Sequence, residues 1–292
     1  MPPPIRRHGV CLAVIHGPAS MTPEEHLLLN EVIERQFGLS FAPAKKEFLE
    51  SRLRPRLLSL HLRRFIDYYL LLQVDLESEV EQLARLITNN ETYFFREVYQ
   101  FDGLFSEGLG ELQKAGWRGD LRLLCAGCSS GEEPYTLNIY ARQAAASNVG
   151  LRWSIDAFDI DRDRLKMARD AIYGVGSLRS ATEEQRSLYF SAFAADRWQL
   201  RRAHRDGVGF SFGNILDLDS FRRPAPYDAI FCRNVLIYFS EGGFQQAIAN
   251  FARALRLGGL LFLGHSESLI GKSDRFETVR LERCIAYRKL RE

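Results

Sequence analysis

The chain has 292 residues and a mass of 33.5 kDa, which suits one large domain or two modest ones. Hydrophobic residues make up 46%, so a sizeable core is available and global disorder is excluded. The 39 Lys and Arg residues against 37 Asp and Glu residues leave a net charge of +2, which argues against attraction of nucleic acid to the whole surface.

The cysteine count and the apolar runs indicate a cellular compartment. Five cysteines are an odd number, and a chain of this length needs no disulfide staples, so a reducing cytoplasm is predicted. No apolar run approaches the roughly 18 residues of a membrane span, and we expect no direct membrane insertion. Residues 1–21 are predicted to form a disordered tail.

The first ninety residues have helical periodicity. Leucines and other apolar residues recur at helical spacing in four segments, namely Glu24–Phe37, Lys45–Leu60, Phe65–Leu72 and Glu77–Ile87. Pro55 lies inside the second segment and is expected to kink the helix or to split it after Arg54. We therefore predict an N-terminal helical domain over residues 22–90.

From residue 121 onward, short apolar runs alternate with helical patterns. The predicted strands are Leu121–Ala126, Trp153–Phe158, Val208–Phe212, Asp228–Cys232 and Leu260–Gly264. The predicted helices between them are Pro134–Ala146, Arg162–Ile172 and Phe244–Leu255. This alternation predicts an α/β fold with a parallel sheet covered by helices over residues 91–292. Residues 176–210 interrupt the rhythm and are expected to be an insertion.

A small-residue turn follows the first predicted strand and leads into a helix. It lacks the three-glycine dinucleotide spacing and the Gly-Lys-Ser/Thr of a phosphate loop. Glu132 and Glu133 would repel a pyrophosphate, and they suit a cationic cofactor without phosphates, such as S-adenosylmethionine. The alternative is that both acids only stabilise the helix N-terminus.

Acidic residues end the second predicted strand. Asp159 is placed where a carboxylate in a doubly wound sheet accepts hydrogen bonds from both ribose hydroxyls. Asp161 is predicted to cap the following helix. Cys125 and Cys128 form a Cys-x-x-Cys pair, but no second pair accompanies it, so a redox or zinc role is disfavoured and no metal is expected.

A run of positive charge lies in the helical region. Residues 45–64 contain seven Lys and Arg against two Glu. If the segment is helical, Lys45, Arg52, Arg56 and Arg63 fall near one stripe. The stripe is either a solvated helix face or a docking site for an acidic helix.

Six stretches together resemble one family, the CheR-type chemotaxis receptor methyltransferases. They are Ile87–Glu97 (ITNNETYFFRE), Ser130–Tyr135 (SGEEPY), Asp159–Asp161, Phe212–Leu216 (FGNIL), Phe231–Phe239 (FCRNVLIYF) and Gly264–Glu267 (GHSE). They occur in order within residues 22–288. Each motif alone is weak, but the ordered set is specific.

The resemblance implies a Rossmann-like, seven-stranded S-adenosylmethionine methyltransferase sheet with an N-terminal helical domain and a small inserted β-subdomain. It implies methylation of receptor glutamates, with S-adenosylhomocysteine as product, by a cytoplasmic protein that we expect to be monomeric. Its partner would be the acidic helical cytoplasmic region of chemoreceptors, with no nucleic acid. The family's cofactor contacts map onto Asn90, Thr92, Arg96, Glu132, Asp159, Asn214, Ile215, Asn234 and Val235. Arg96 and Tyr238 match the reacting end.

Two other functions stay open at this point. One is a non-catalytic regulator that binds S-adenosylmethionine and contacts a signalling partner. The other is a methyltransferase acting on RNA or a small molecule, which is disfavoured because the basic segment lacks interleaved aromatic residues for stacking bases.

Overall fold

Four helices form the first part of the chain in the computed structural model, which describes residues 18–221 and 225–291. They are α1 (Pro23–Phe37), α2 (Lys46–Ser59), α3 (Phe65–Val74) and α4 (Leu76–Ile87). Thr22 and Glu25 form a reciprocal capping box at the start of α1, and Gly38 ends it at a left-handed φ of 72°. The apolar faces of these helices build one buried cluster, as the periodicity predicted.

Helix α2 continues through Pro55, so the break predicted after Arg54 is absent. Leu49, Leu53 and Leu57 are buried on one face of α2, whereas Ser51 and Pro55 are exposed. Proline removes the hydrogen bond to the carbonyl four residues earlier. Because that carbonyl belongs to the exposed Ser51, water can satisfy it, and burial of the leucine face keeps the helix intact.

Part of the predicted N-terminal tail is packed. Met21 is 2% exposed, its backbone N–H donates to Glu50, and the backbone N–H of Ala19 donates to the carbonyl of Arg63. The prediction of a disordered tail is therefore wrong for residues 18–21. Residues 1–17 lie outside the described part of the chain.

Within the described part of the chain, ten strands follow the helical region. They are β1 (Leu121–Ala126), β2 (Trp153–Asp159), β3 (Ile172–Gly174), β4 (Phe190–Ala194), β5 (Arg197–Leu200), β6 (Val208–Phe212), β7 (Tyr227–Cys232), β8 (Leu255–Leu263), β9 (Phe276–Arg280) and β10 (Ile285–Lys289). Seven form one sheet with the order β6-β2-β1-β7-β8-β10-β9, in which β10 runs antiparallel to both neighbours and the other pairs are parallel. The predicted α/β fold is confirmed.

Helices cover this sheet. They are α5 (Tyr99–Gly103), a π-helical turn (Leu104–Gly108), α6 (Leu109–Lys114), α7 (Glu132–Ser147), α8 (Arg162–Asp170) and α10 (Glu241–Ala254). Helix α9 (Glu183–Tyr189) instead packs against β4. Alternate strand residues enter two separate cores: Leu123 and Phe231 belong to one buried cluster, and Leu124 and Ile230 belong to the other.

A second, three-stranded sheet has the order β3-β5-β4 and is antiparallel. It includes Ile172–Gly174, before the predicted start of the insertion at residue 176. Residues 208–210 belong to β6 of the large sheet. These strands are too short for period-2 alternation to reveal their ends.

In the described ranges 18–221 and 225–291, no helix combines the length and apolar character required to cross a membrane.

Candidate active site

A cavity of about 1060 Å³, including its open mouth, lies where the helical region meets the carboxyl ends of β1, β2 and β7. Its walls include Gly127 after β1, Asp159 at the end of β2 and Asn234 after β7. Strands β2 and β7 flank β1 on opposite sides. The cavity therefore occupies the topological switch point at which open α/β sheets bind ligands.

Nine of the ten predicted cofactor or catalytic residues line this cavity. They are Asn90, Thr92, Arg96, Asp159, Asn214, Ile215, Asn234, Val235 and Tyr238. Glu132 is not among the lining residues. Its carboxylate is 1% exposed and accepts hydrogen bonds from the hydroxyls of Ser130 and Ser177, both at 2.8 Å. Burial raises the pKa of Glu132, and the two hydroxyls oppose that rise.

The adjacent Glu133 lines the cavity instead. Its Oε2 lies 3.0 Å from Nε of Arg233, the residue after β7. Burial raises the pKa of Glu133, although the charge of Arg233 works in the opposite direction. The two acids of the turn thus have different surroundings. The resemblance assigned a cofactor contact to Glu132, whereas Glu133 is the acid that lines the cavity.

Asp159 is 7% exposed and holds the turn after β1. Its Oδ2 accepts from the backbone N–H of Ser129 at 2.7 Å, and its Oδ1 accepts from that of Asp161 at 2.9 Å. Each carboxylate oxygen has two lone pairs, so each can accept one further hydroxyl. Burial raises the pKa of Asp159 to about 6, with the nearby charge of Asp161 adding to the rise. Asp161 caps α8, as predicted.

The loop after β7 is organised by Glu267, a residue of the GHSE stretch. The Glu267 carboxylate accepts from the backbone N–H groups of Asn234, Val235 and Leu236 at 3.0, 2.9 and 2.6 Å. It also accepts from the N–H of Gly264 at 2.6 Å. Asn234 has a left-handed φ of 60°, a strained conformation for a residue other than glycine. A buried anion thus fixes the loop that carries both Asn234 and Tyr238.

The linker between α4 and the sheet domain closes over one side of the cavity. The Asn90 amide donates to Asp161 at 3.0 Å, and the Asn90 carbonyl accepts from the hydroxyl of Ser129 at 3.4 Å. Asn89 donates to the hydroxyl oxygen of Tyr238 at 2.7 Å. The linker therefore contacts the ends of β1, β2 and β7 at once.

Arg96 has a constrained guanidinium. Its Nη1 donates to the carbonyl of Glu91 at 3.1 Å, and its Nε lies 3.8 Å from the carboxylate of Glu97. Glu97 also contacts His265 at 2.9 Å and accepts from Asn234 at 3.4 Å. Burial favours a higher pKa for Glu97, but the hydrogen bond from His265 and the charge of Arg233 outweigh it and lower the pKa.

Cys125 and Cys128 are both buried, and neither is in a disulfide. Burial raises the pKa of each thiol well above its usual value. Since the thiolate is the reactive form, this environment disfavours reaction at either sulfur.

The four predicted partner-binding residues do not share one helical stripe. Lys45 lies in a 3-10 turn (Pro43–Lys45) before α2, and Arg63 follows the helix, which ends at Ser59. Arg56 is ion-paired with Glu79, whose side chain is 6% exposed. Arg52 stacks on the ring of Phe48 at 4.9 Å, and that ring is 43% exposed. Of the four predicted residues, Lys45, Arg52 and Arg63 remain candidates for partner binding, and the Phe48 ring lies beside Arg52.

Comparison with known proteins agrees with this geometry. The family described as "CheR methyltransferase, SAM binding domain" matches residues 90–285, and "CheR methyltransferase, all-alpha domain" matches residues 25–88. Chemotaxis protein methyltransferase 2 of Vibrio cholerae is 30% identical over 270 residues, covering 92% of this chain and 94% of that protein.

The chemotaxis protein methyltransferases of Escherichia coli and Salmonella typhimurium are 33% and 34% identical, respectively. The alignments cover 85% of this chain and 85% of the Escherichia coli protein, and 82% of this chain and 81% of the Salmonella protein. The chain therefore belongs to the CheR methyltransferase family and is an S-adenosylmethionine-dependent chemotaxis protein methyltransferase, that is, a protein-glutamate O-methyltransferase.

Proposed function

We propose that this enzyme acts in the cytoplasm on glutamate side chains in the acidic helical region of chemoreceptors, and converts them to methyl esters. The single observation that carries the proposal is the convergence of Asp159, Asn234, Arg96 and Tyr238 on one cavity at the switch point of the sheet. The helical domain closes that cavity through the linker at residues 88–92.

The cavity residues fit S-adenosylmethionine. Asp159 has the free lone pairs to accept two ribose hydroxyls, and Ile215 and Val235 offer apolar walls for an adenine ring. A side chain at Gly127 would approach Val235 to 2.9 Å, so only glycine leaves this wall open to a ligand. Further polar groups of the cavity wall come from Asn90, Thr92, Asn214 and Asn234, and Glu133 is the acid of the turn that lines the cavity.

The chemistry requires orientation rather than proton transfer. Bound S-adenosylmethionine supplies a methyl group on a cationic sulfur. A substrate glutamate is already ionised at neutral pH, because its ordinary pKa is about 4.3. No general base is needed. The chain's task is to hold a carboxylate oxygen in line with the methyl carbon, with reacting atoms about 3–3.5 Å apart.

Arg96 and Tyr238 are suited to that task. With Nη1 donating to Glu91 and Nε facing Glu97, the Arg96 side chain presents Nη2 as its remaining edge. One charge-assisted hydrogen bond orients a carboxylate and leaves its other oxygen nucleophilic. Asn89 donates to the Tyr238 oxygen, so the phenolic proton stays available for the substrate.

We infer that the receptor docks on the helical domain at the basic residues Lys45, Arg52 and Arg63, with Phe48 beside Arg52. Long-range attraction between this basic surface and an acidic helix would speed encounter and be weakened by salt. Reversing the charge of Arg52 should therefore raise the KM for the receptor and reduce its salt dependence, with the affinity for S-adenosylmethionine unchanged. An unaltered receptor KM in this variant would exclude the docking surface.

The test uses methyl-labelled S-adenosylmethionine and purified cytoplasmic receptor fragments. We expect label in the fragment that alkali releases as volatile methanol, as a carboxyl ester requires. Arg96→Ala should lower kcat by about 100-fold, since an oriented charge-assisted contact contributes about 2.7 kcal/mol to the barrier. Arg253→Ala, on the exposed side of α10, is the matched control and should keep full activity.

Label that stays on the receptor fragment in alkali would show that the methyl acceptor is a group other than a carboxylate. Tight binding of S-adenosylmethionine without transfer to any receptor fragment would instead favour a regulatory role. Full turnover by a folded Arg96→Ala protein would remove Arg96 from the mechanism.

A further inference from the structure

Arg233, the residue directly after β7, is a buried cation that none of the preceding functions uses. Its side chain is 1% exposed, although it lines the cavity. A buried guanidinium is costly unless its charge is paired and its N–H groups are bonded. The groups that pair with its charge and accept from its two Nη nitrogens therefore indicate its role.

The Arg233 side chain joins three segments. Its Nη2 donates to the carbonyl of Arg96 at 2.6 Å, and its Nη1 approaches the carbonyl of Glu97 at 3.4 Å. Its Nε lies 3.0 Å from Glu133 at the start of α7. Its guanidinium carbon lies 4.8 Å from the ring centre of Phe101 in α5.

The turn that Arg233 contacts is strained. Phe95 and Glu97, on either side of Arg96, have positive φ angles of 63° and 50°. Each such conformation is unfavourable for a residue with a side chain and persists only where the surroundings enforce it. The hydrogen bond from Arg233 to the Arg96 carbonyl lies at the centre of this turn, between the two strained residues.

We propose that Arg233 is a positioning residue that aims the Arg96 guanidinium at the reacting end of the cavity. The inference rests on the proposed role of Arg96. Arginine suits this position because its planar fork donates to carbonyls on one edge while Nε faces a carboxylate. Lysine keeps the charge but lacks the two Nη donors. Arg233→Lys should therefore retain the ion pair with Glu133 but lose the hydrogen bonds that hold the turn at residues 95–97.

The test is a double-mutant cycle between Arg233→Lys and Arg96→Ala, measured as kcat with saturating S-adenosylmethionine and a receptor fragment. In the otherwise native enzyme, Arg233→Lys should lower kcat by about tenfold or more, with less than about a threefold change in the Kd for S-adenosylmethionine by calorimetry. In the Arg96→Ala background, the same change should cost less than about twofold. An equal loss in both backgrounds would overturn the proposal.

A second readout does not depend on turnover. Hydrogen exchange of the backbone amides of residues 94–98 should be faster in Arg233→Lys, while exchange in β1 and β8 stays at the native rate. Unchanged exchange in residues 94–98 overturns the proposal even if the enzyme proves to methylate another substrate. Failure of the proposed function appears separately, as absence of transfer by the native enzyme.

Loss of a buried cation can prevent folding, so a charge-balanced double variant and its single-variant reference accompany the cycle. Glu133→Gln alone is compared with Arg233→Met combined with Glu133→Gln, because the combined variant leaves no unpaired buried charge. If exchange is faster and kcat is lower in the combined variant than in Glu133→Gln, the hydrogen bonds from Arg233 to the carbonyls of Arg96 and Glu97 hold the turn. Equal exchange rates and equal kcat in the two variants would contradict this role of the hydrogen bonds.

Discussion

Replacing Arg56 by alanine should destabilise the helical domain, even though the sequence alone places this residue in a docking stripe. The Arg56 guanidinium pairs with Glu79 through two nitrogens, and its Nε donates to Glu79 Oε2 at 3.0 Å. Tyr68 donates to the same oxygen at 3.2 Å. The variant leaves the Glu79 carboxylate buried with only the Tyr68 hydroxyl as a partner.

The magnitude follows from the burial of the two partners. Breaking a buried ion pair costs about 3–5 kcal/mol. Since the Arg56 side chain is 24% exposed and that of Glu79 only 6%, we expect the lower end, about 3 kcal/mol, for removing the cation. Glu79→Gln should cost less, about 1 kcal/mol, because the amide oxygen can still accept from Tyr68 and from Nε of Arg56, and the charge left behind is the more exposed one.

Urea denaturation followed by helical circular dichroism measures these differences, with Arg52→Ala as the matched control. Arg52 only stacks on the exposed ring of Phe48, so its removal should change the free energy of unfolding by about 0.5 kcal/mol or less. The reasoning is refuted if Arg56→Ala is as stable as Arg52→Ala. If Arg56→Ala then also raises the receptor KM, Arg56 serves docking rather than structure.

Three further predictions concern the cavity. The Asp159 carboxyl, with a pKa of about 6, must be ionised to accept two hydroxyls, so the Kd for S-adenosylmethionine should be about tenfold weaker at pH 5 than at pH 7 by calorimetry, and a flat profile would contradict the ribose role. Glu267→Gln places an amide against backbone donors, and thermal unfolding should show a loss of about 2–3 kcal/mol together with weaker cofactor binding. Asn89→Ala should lower kcat in the native enzyme but not in Tyr238→Phe, whereas equal losses would show that Asn89 acts by another route.

The features that sequence predicted well are local ones. Strand β1 and the polar residue ending β2 follow from a short apolar run and its boundary, and both stand where predicted. The α8 cap by Asp161 depends on residues within the next turn. Such features need no knowledge of distant partners, which explains why they were found without any structure.

The distinction between Glu132 and Glu133 needed tertiary information. Consecutive residues point about 100° apart on a helix, so only one of the two can face the cavity. Which one does depends on the rotation of α7 against the sheet. Ser177, from the segment between β3 and α9, stabilises Glu132 away from the cavity. No pattern within residues 130–135 contains that partner.

The pairing of Arg56 with Glu79 was hidden for a similar reason. The two residues are on different helices and are 23 positions apart. A run of basic residues shows how much charge a segment carries, but not which charges are neutralised after folding. The run therefore overstated the docking surface, from which Arg56 is removed by its buried partner.

The helical domain also fixes the residue proposed to touch the substrate. The backbone N–H of Ser40 donates to the carbonyl of Tyr238 at 2.9 Å, and the N–H of Ser240 donates to the carbonyl of Gly38 at 2.7 Å. Asn89 holds the Tyr238 hydroxyl from the linker. These hydrogen bonds join the helical domain, on which we propose that the receptor docks, to the segment that carries Tyr238. The segment that follows α1 therefore connects the proposed docking domain with the residue proposed to orient the substrate carboxylate.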